Sequence, residues 1–371
     1  MRLTPLLFML QLLPSHIQAG SQLWELPPAI SKGSQNAVLK RAVSIVASDD
    51  PDDNAGVHRW PEKTITYAFS TSKAEEKLDK TFEDAKKLWN QLNVNGFDYK
   101  RLDIKKCKAR RSECLIIYYN DQGKLSTTVA LRPLDKNFEG PYMHLSDKLD
   151  VGNLDAVVNA AHELGHAWGL WHEHQARKWW GQSDIDEDWG GYLDGDIFMT
   201  EDYHCENLKD YEEALERMAK GKGLKSKEEL SDSQVKELCR NQDTAEEYDF
   251  TGLEWMPLRK NGMDPDPEFD RNSLMLYPSG AGAKGEVNPR GDGKDPEDKR
   301  LPVLTYPDGD PMPIKKGPSG MDIEKLLKLY GTNYRGTSRL HNDDSSTFKG
   351  LFKKARSKFS LRAGDTEKGM C

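Results

Sequence analysis

The chain has 371 residues, 31% of them charged, and a formal net charge of −8, with a mean hydropathy of −0.78. That length allows a sizeable core, as one large domain with an extension or as two domains. The acidic balance excludes general nucleic-acid binding, which needs a clustered basic surface, and beyond the N-terminus no stretch is apolar enough to span a bilayer.

At the N-terminus, Arg2 precedes an apolar run over residues 3–13, and Ile17-Gln18-Ala19 offers small-residue cleavage chemistry. This predicts a signal peptide over 1–19, because the run is shorter than the ~20 residues a membrane span requires. The mature protein is then expected to be secreted, extracellular and monomeric. Residues 20–54 are polar, carry the dibasic pair Lys40-Arg41 and end in Asp49-Asp50-Pro51-Asp52-Asp53. They read as a pro-segment cut after Arg41 or as a solvated linker, and one of these aspartates is a candidate latency ligand. Five cysteines in an exported chain permit disulfides. Cys107 could pair with Cys114 and Cys205 with Cys239, leaving Cys371, though spacing alone does not decide connectivity. No N-x-[ST] sequon is present.

Residues 64–69 alternate and are rich in β-branched and aromatic side chains, which predicts a strand. Residues 74–92 carry Leu78, Phe82, Ala85, Leu88, Trp89 and Leu92 at helical spacing. Residues 114–119 read as a buried strand, 125–131 as an extended segment and 142–145 as a further strand. The 125–131 segment is either a plain sheet strand or an edge to which a peptide could add. Residues 154–167 form a helix whose apolar face is Leu154, Val157, Val158, Ala161 and Leu164. Strand, helix, strands and helix in that order predict an α+β fold. Residues 181–265 are acidic, with helix-like pieces at 208–219 and 231–239, and read as a polar insertion or a linker. A last helix is expected over 321–330, stopped by Gly331. The tail, 336–371, is basic and without core pattern; its 348–359 stretch mixes basic and aromatic residues and suits a solvated end or an anionic surface.

The chemistry concentrates in His162-Glu163-Leu-Gly-His166-Ala-Trp-Gly169-Leu-Trp-His172. Residues four apart share a helix face, so His162 and His166 can present two nitrogens to one ion. Gly169 ends the helix, and the turn returns His172 as a third ligand. Three protein ligands leave a position open for water, the mark of catalytic rather than structural zinc. Glu163 projects beside the metal, where a general base must stand.

The extended motif resembles that of the metzincin superfamily, whose methionine turn is matched by Ser273-Leu-Met275-Leu-Tyr277. Within it the chain is similar to astacin-type peptidases, through Trp60-Pro61, Glu173 after the third histidine, the Ser-x-Met-x-Tyr turn and the closing stretch from Met321 to Gly331. The resemblance implies a two-lobed zinc peptidase domain over 55–335, with a mixed sheet and an active-site helix. It implies a secreted endopeptidase acting on peptide or protein substrates by attack of a zinc-bound water. His162, His166 and His172 would bind the metal, Glu163 would be general base, and Tyr277 would donate to the oxyanion. It also implies that Glu173 meets the buried N-terminus of the mature chain. The rival reading is a catalytically silent zincin fold serving as a secreted binding module.

Overall fold

The computed structural model describes residues 44–49, 57–132, 134, 138–181, 195–258, 263–265, 268–288 and 296–331. The signal peptide, the dibasic pair, Asp50 to Asp53, Cys371 and the basic tail lie outside the described residues.

A short strand, β1 (Ser44–Ile45), precedes β2 (Thr64–Phe69) and helix α1 (Ser72–Leu88). Then come β3 (Asp98–Arg101), α2 (Ile104–Ala109), β4 (Leu115–Tyr119), β5 (Ser126–Thr127), β6 (Tyr142–Leu145) and α3 (Ala156–Trp168). The second half supplies α4 (Tyr211–Gly221), α5 (Asp232–Arg240), α6 (Gln242–Glu247), β7 (Met263–Asp264), β8 (Gly285–Asn288), β9 (Glu297–Arg300) and α7 (Gly320–Leu329). The main sheet has the order β3-β2-β4-β6-β5. Its first four strands are parallel, and β5 is antiparallel to β6 at the edge, with Ser126 opposite His144 and Thr127 opposite Met143. The fold is α+β with a mixed sheet, as the element order predicts.

Alternation along the strands divides the sheet into two faces. Ile65, Tyr67, Leu115, Ile117, Met143 and Leu145 join the main core with α1 and α3. Ala68 and Ile116 point the other way, against Cys107 and Cys114, which form a disulfide at the end of α2. Burying both faces suits the parallel strands. The predicted helix over 74–92 closes earlier: α1 ends at Leu88 and the chain tightens into a 3-10 segment, Asn90–Asn95, that still buries Leu92.

The acidic region between Trp180 and Met263 holds more core than its composition suggests. Ala214, Leu215, Met218 and Ala219 of α4, Leu238 of α5 and Ala245 of α6 are all buried in the main core, with Phe250, Trp255 and Met256. Few apolar positions at helical spacing suffice to anchor an otherwise charged helix. Cys205 and Cys239 form the second disulfide across this region. Residues 44–49 are also built in: β1 pairs with β7, Ser44 bridges Leu170, and the Ile45 N–H donates to the Gly169 carbonyl at 2.9 Å.

Candidate metal centre

Helix α3 carries the motif, and its ends are locally determined. Asp155 caps the N-terminus by accepting from the Val157 and Val158 N–H groups at 2.8 and 3.2 Å. Gly169 closes the C-terminus at φ 111°, with the Leu170 N–H donating back to the Gly165 carbonyl at 2.9 Å. A side chain there would strain the turn and crowd Ile45 and Leu329. Indole groups pin the helix from outside. Trp60 Nε1 donates to the Ala167 carbonyl at 2.6 Å, and Trp89 Nε1 to that of Ala161 at 2.9 Å.

His162, His166 and His172 converge, all three buried, with one ligand atom from each within 4.8 Å of the others. Their outward nitrogens settle the tautomers. His162 Nδ1 lies 2.8 Å from the Leu274 carbonyl, His166 Nδ1 2.8 Å from the Leu170 carbonyl, and His172 Nδ1 2.7 Å from Oε1 of Gln175. Each of these oxygens accepts, so each Nδ1 acts as the donor, which leaves Nε2 as the nitrogen that would offer its lone pair to an ion. The Nε2 atoms of His166 and His172 approach to 3.0 Å, a spacing that suits a shared cation. Three imidazoles with oriented outer acceptors, on a helix and a glycine turn, fit a zinc ion. Glu163 stands next in the chain to His162 and is fully buried.

No protein-family profile matches the chain, and no curated protein matches it. Among solved structures it is similar to high choriolytic enzyme 1, a hatching-enzyme zinc protease from Oryzias latipes (medaka fish). The identity is 13%, over 76% of this chain and 98% of that one, with a TM-score of 0.40. At that level the likeness assigns no activity.

The Met275 carbonyl accepts from the Glu173 N–H at 3.0 Å, tying its turn to the segment just after His172. Met275 also lies against Gly165 of α3. Tyr277 is fully buried, its ring centroid 4.3 Å from that of His172 and 5.8 Å from that of His162. The Tyr142 phenol on β6 is pushed up by burial, with the Glu163 carboxylate adding to the shift and Arg132 opposing it. This places Arg132 and Tyr142 within electrostatic reach of one another, with Glu163 acting on the same phenol.

Glu173 has an internal partner. Its Oε2 accepts from Lys325 Nζ at 2.7 Å, with both side chains at most 3% exposed, and its Oε1 accepts from the Asp270 N–H at 3.3 Å. The ammonium group that the resemblance assigned to a mature N-terminus is thus supplied by α7. Burial pushes the Glu173 carboxyl up, and Lys325 pulls it back. Asp49 pairs with Arg59 at the surface.

Sequence reasoning missed several members of the site. Gln175 and the Leu170 and Leu274 carbonyls have no signature, because any residue offers a carbonyl and only the fold aims it. His174 is a fourth histidine beside the site, but its Nε2 faces the Glu254 carbonyl at 3.0 Å. It packs on Tyr277 with ring centroids 4.6 Å apart.

Proposed function

We propose that the chain is a secreted zinc-dependent endopeptidase of astacin-like type, hydrolysing peptide bonds with Glu163 as general base. The observation that carries this reading is the buried three-histidine cluster, with every Nδ1 on an acceptor and one ligand atom from each ring within 4.8 Å of the others. His162, His166 and His172 would hold the ion through Nε2. A bound zinc ion supplies Lewis-acid activation of water and of the scissile carbonyl. Glu163 takes the proton of the attacking water and delivers it to the leaving amine as the C–N bond breaks. Tyr277 donates to the oxygen that becomes negative in the tetrahedral intermediate.

Substrate binding is assigned to the sheet edge. β5 is the edge strand, and Thr128 donates its N–H inward to the Tyr142 carbonyl at 3.0 Å. By the alternation of an antiparallel strand, the peptide groups of Thr127 and Val129 point away from β6, the side on which an extended peptide would add, and both residues are buried in this structure. Ala130 then turns at φ 52° and donates to the His166 carbonyl at 3.0 Å, leading the edge to the metal-bearing helix.

The test is Glu163→Gln, assayed on casein or gelatin with and without chelator. The variant should retain zinc and lose hydrolysis by orders of magnitude. Unchanged hydrolysis would overturn the assignment, and a wild-type chain that holds zinc yet cleaves nothing would mark a silent binding module.

A further inference from the structure

Four buried groups line up behind His162 with consistent donor and acceptor roles. His162 Nδ1 donates to the Leu274 carbonyl at 2.8 Å. The same peptide unit ends in the Met275 N–H, which donates to Ser273 Oγ at 3.0 Å. Ser273 Oγ donates in turn to Asp322 Oδ1 at 2.7 Å. Ser273, Leu274 and Asp322 are each fully buried. The other carboxylate oxygen accepts from the Leu274 N–H at 2.7 Å and the Ser319 N–H at 2.9 Å. Burial and the neighbouring Asp270 push the Asp322 carboxyl up, and the three hydrogen bonds it receives, together with Lys325, work against that push.

We propose that Ser273 and Asp322 are positioning residues for the metal ligand His162, linking its Nδ1–H to a buried carboxylate through one hydroxyl and one peptide group. Metal-binding histidines commonly donate their second nitrogen to a carboxylate directly or to a backbone carbonyl. Here the carbonyl is the visible acceptor and the carboxylate stands two hydrogen bonds behind it. Hydrogen bonds in a chain polarise one another, and in a dry interior the effect is not damped by water. The relay would thus sharpen the Leu274 carbonyl as an acceptor, fix the His162 ring and make its Nε2 a better donor to zinc. Gln175 serves His172 with a neutral amide oxygen and the Leu170 carbonyl serves His166, whereas the bonds behind His162 lead on to a carboxylate.

This inference rests on the zinc-centre reading above. The test is the zinc affinity of the full chain, by chelator competition, alongside the ligand-field spectrum of the cobalt(II) form and thermal stability. Ser273→Ala cuts the relay while leaving the Leu274–Asp322 bond, and Asp322→Asn removes the charge at nearly constant shape. Each should weaken zinc binding roughly 10- to 100-fold, the range for outer-shell losses, and shift the cobalt bands. The double variant should be no weaker than Asp322→Asn alone, because both act on one path. Zinc affinity and cobalt bands unchanged in Ser273→Ala, with only a lower melting temperature, would reduce the relay to a folding contact. Additive losses would equally overturn it. If Asp322→Asn does not fold, Ser273→Ala decides by itself. A wild-type chain that binds no zinc would overturn both the relay and the metal-centre reading, whereas tight wild-type binding with an indifferent Ser273→Ala removes the relay alone.

Discussion

A Cβ on Gly165 would lie 2.5 Å from Sδ of Met275, closer than two such atoms can approach. The glycine is the fourth residue of the histidine motif, and its missing side chain is what lets Met275 press against α3. Replacing a helical glycine by alanine ordinarily gains up to about 1 kcal/mol. Here Trp89 Cζ2 waits at 3.3 Å on another side, so the added methyl has no free direction. Gly165→Ala should lose about 1–3 kcal/mol, as overpacked cores do, in denaturant melts. A gain in stability would show that Met275 moves aside freely.

Tyr277 packs within 4.3 Å of the His172 ring and 5.3 Å of Trp255, centroid to centroid. If its hydroxyl serves the oxyanion, Tyr277→Phe should lower kcat roughly 10²–10³-fold, the usual loss for one such donor, with little change in zinc affinity. Normal turnover would return the residue to a packing role among these rings.

The two disulfides should differ in weight. Cys205 and Cys239 are 34 residues apart, against 7 for Cys107 and Cys114. On the chain-entropy account the longer loop is worth about 4 kcal/mol and the shorter about 2. Paired Cys→Ala variants, unfolded in denaturant, should rank in that order. The opposite ranking would mean that native packing, not the entropy of the unfolded chain, sets their contributions.

His144 offers a pH test on a histidine outside the three-histidine cluster. It stacks on Tyr118 at 5.0 Å, and burial with nearby Lys124 pushes its imidazole down to about 4. The unfolded chain takes up that proton near pH 6.5. Its contribution to stability is therefore complete above pH 6.5 and lost as the pH falls towards 4. His144→Phe keeps a stacked ring that does not titrate. With metal chelated in both proteins, the difference in unfolding free energy between wild type and variant should change across that window. A pH-independent difference would refute it.

The fold was legible where one physical signal dominates. Alternation marks β2, helical spacing marks α1 and α3, and Gly169 marks the end of α3. The three histidines follow from helical geometry and one turn. What stayed hidden is what depends on distant partners. The Lys325–Glu173 pair looks, in the sequence, like two charges on two surfaces. Asp322 closes a capping box with the N-cap Ser319; nothing local says that the same carboxylate also holds Ser273 and Leu274. The acidic region hid its core because a few buried positions, such as Met218 and Leu238, are outnumbered by the charges around them.

The bond between Lys325 and Glu173 joins residues 152 positions apart, and that separation has a consequence in time. At about 5–20 residues per second of synthesis, the histidine-bearing helix α3 leaves the ribosome roughly 8–30 s before α7 does. During that interval the nascent chain carries the complete histidine motif, but neither Lys325 beside Glu173 nor Asp322 behind Ser273. Of the described helices, the last to be made is the one that finishes an earlier-made part of the site.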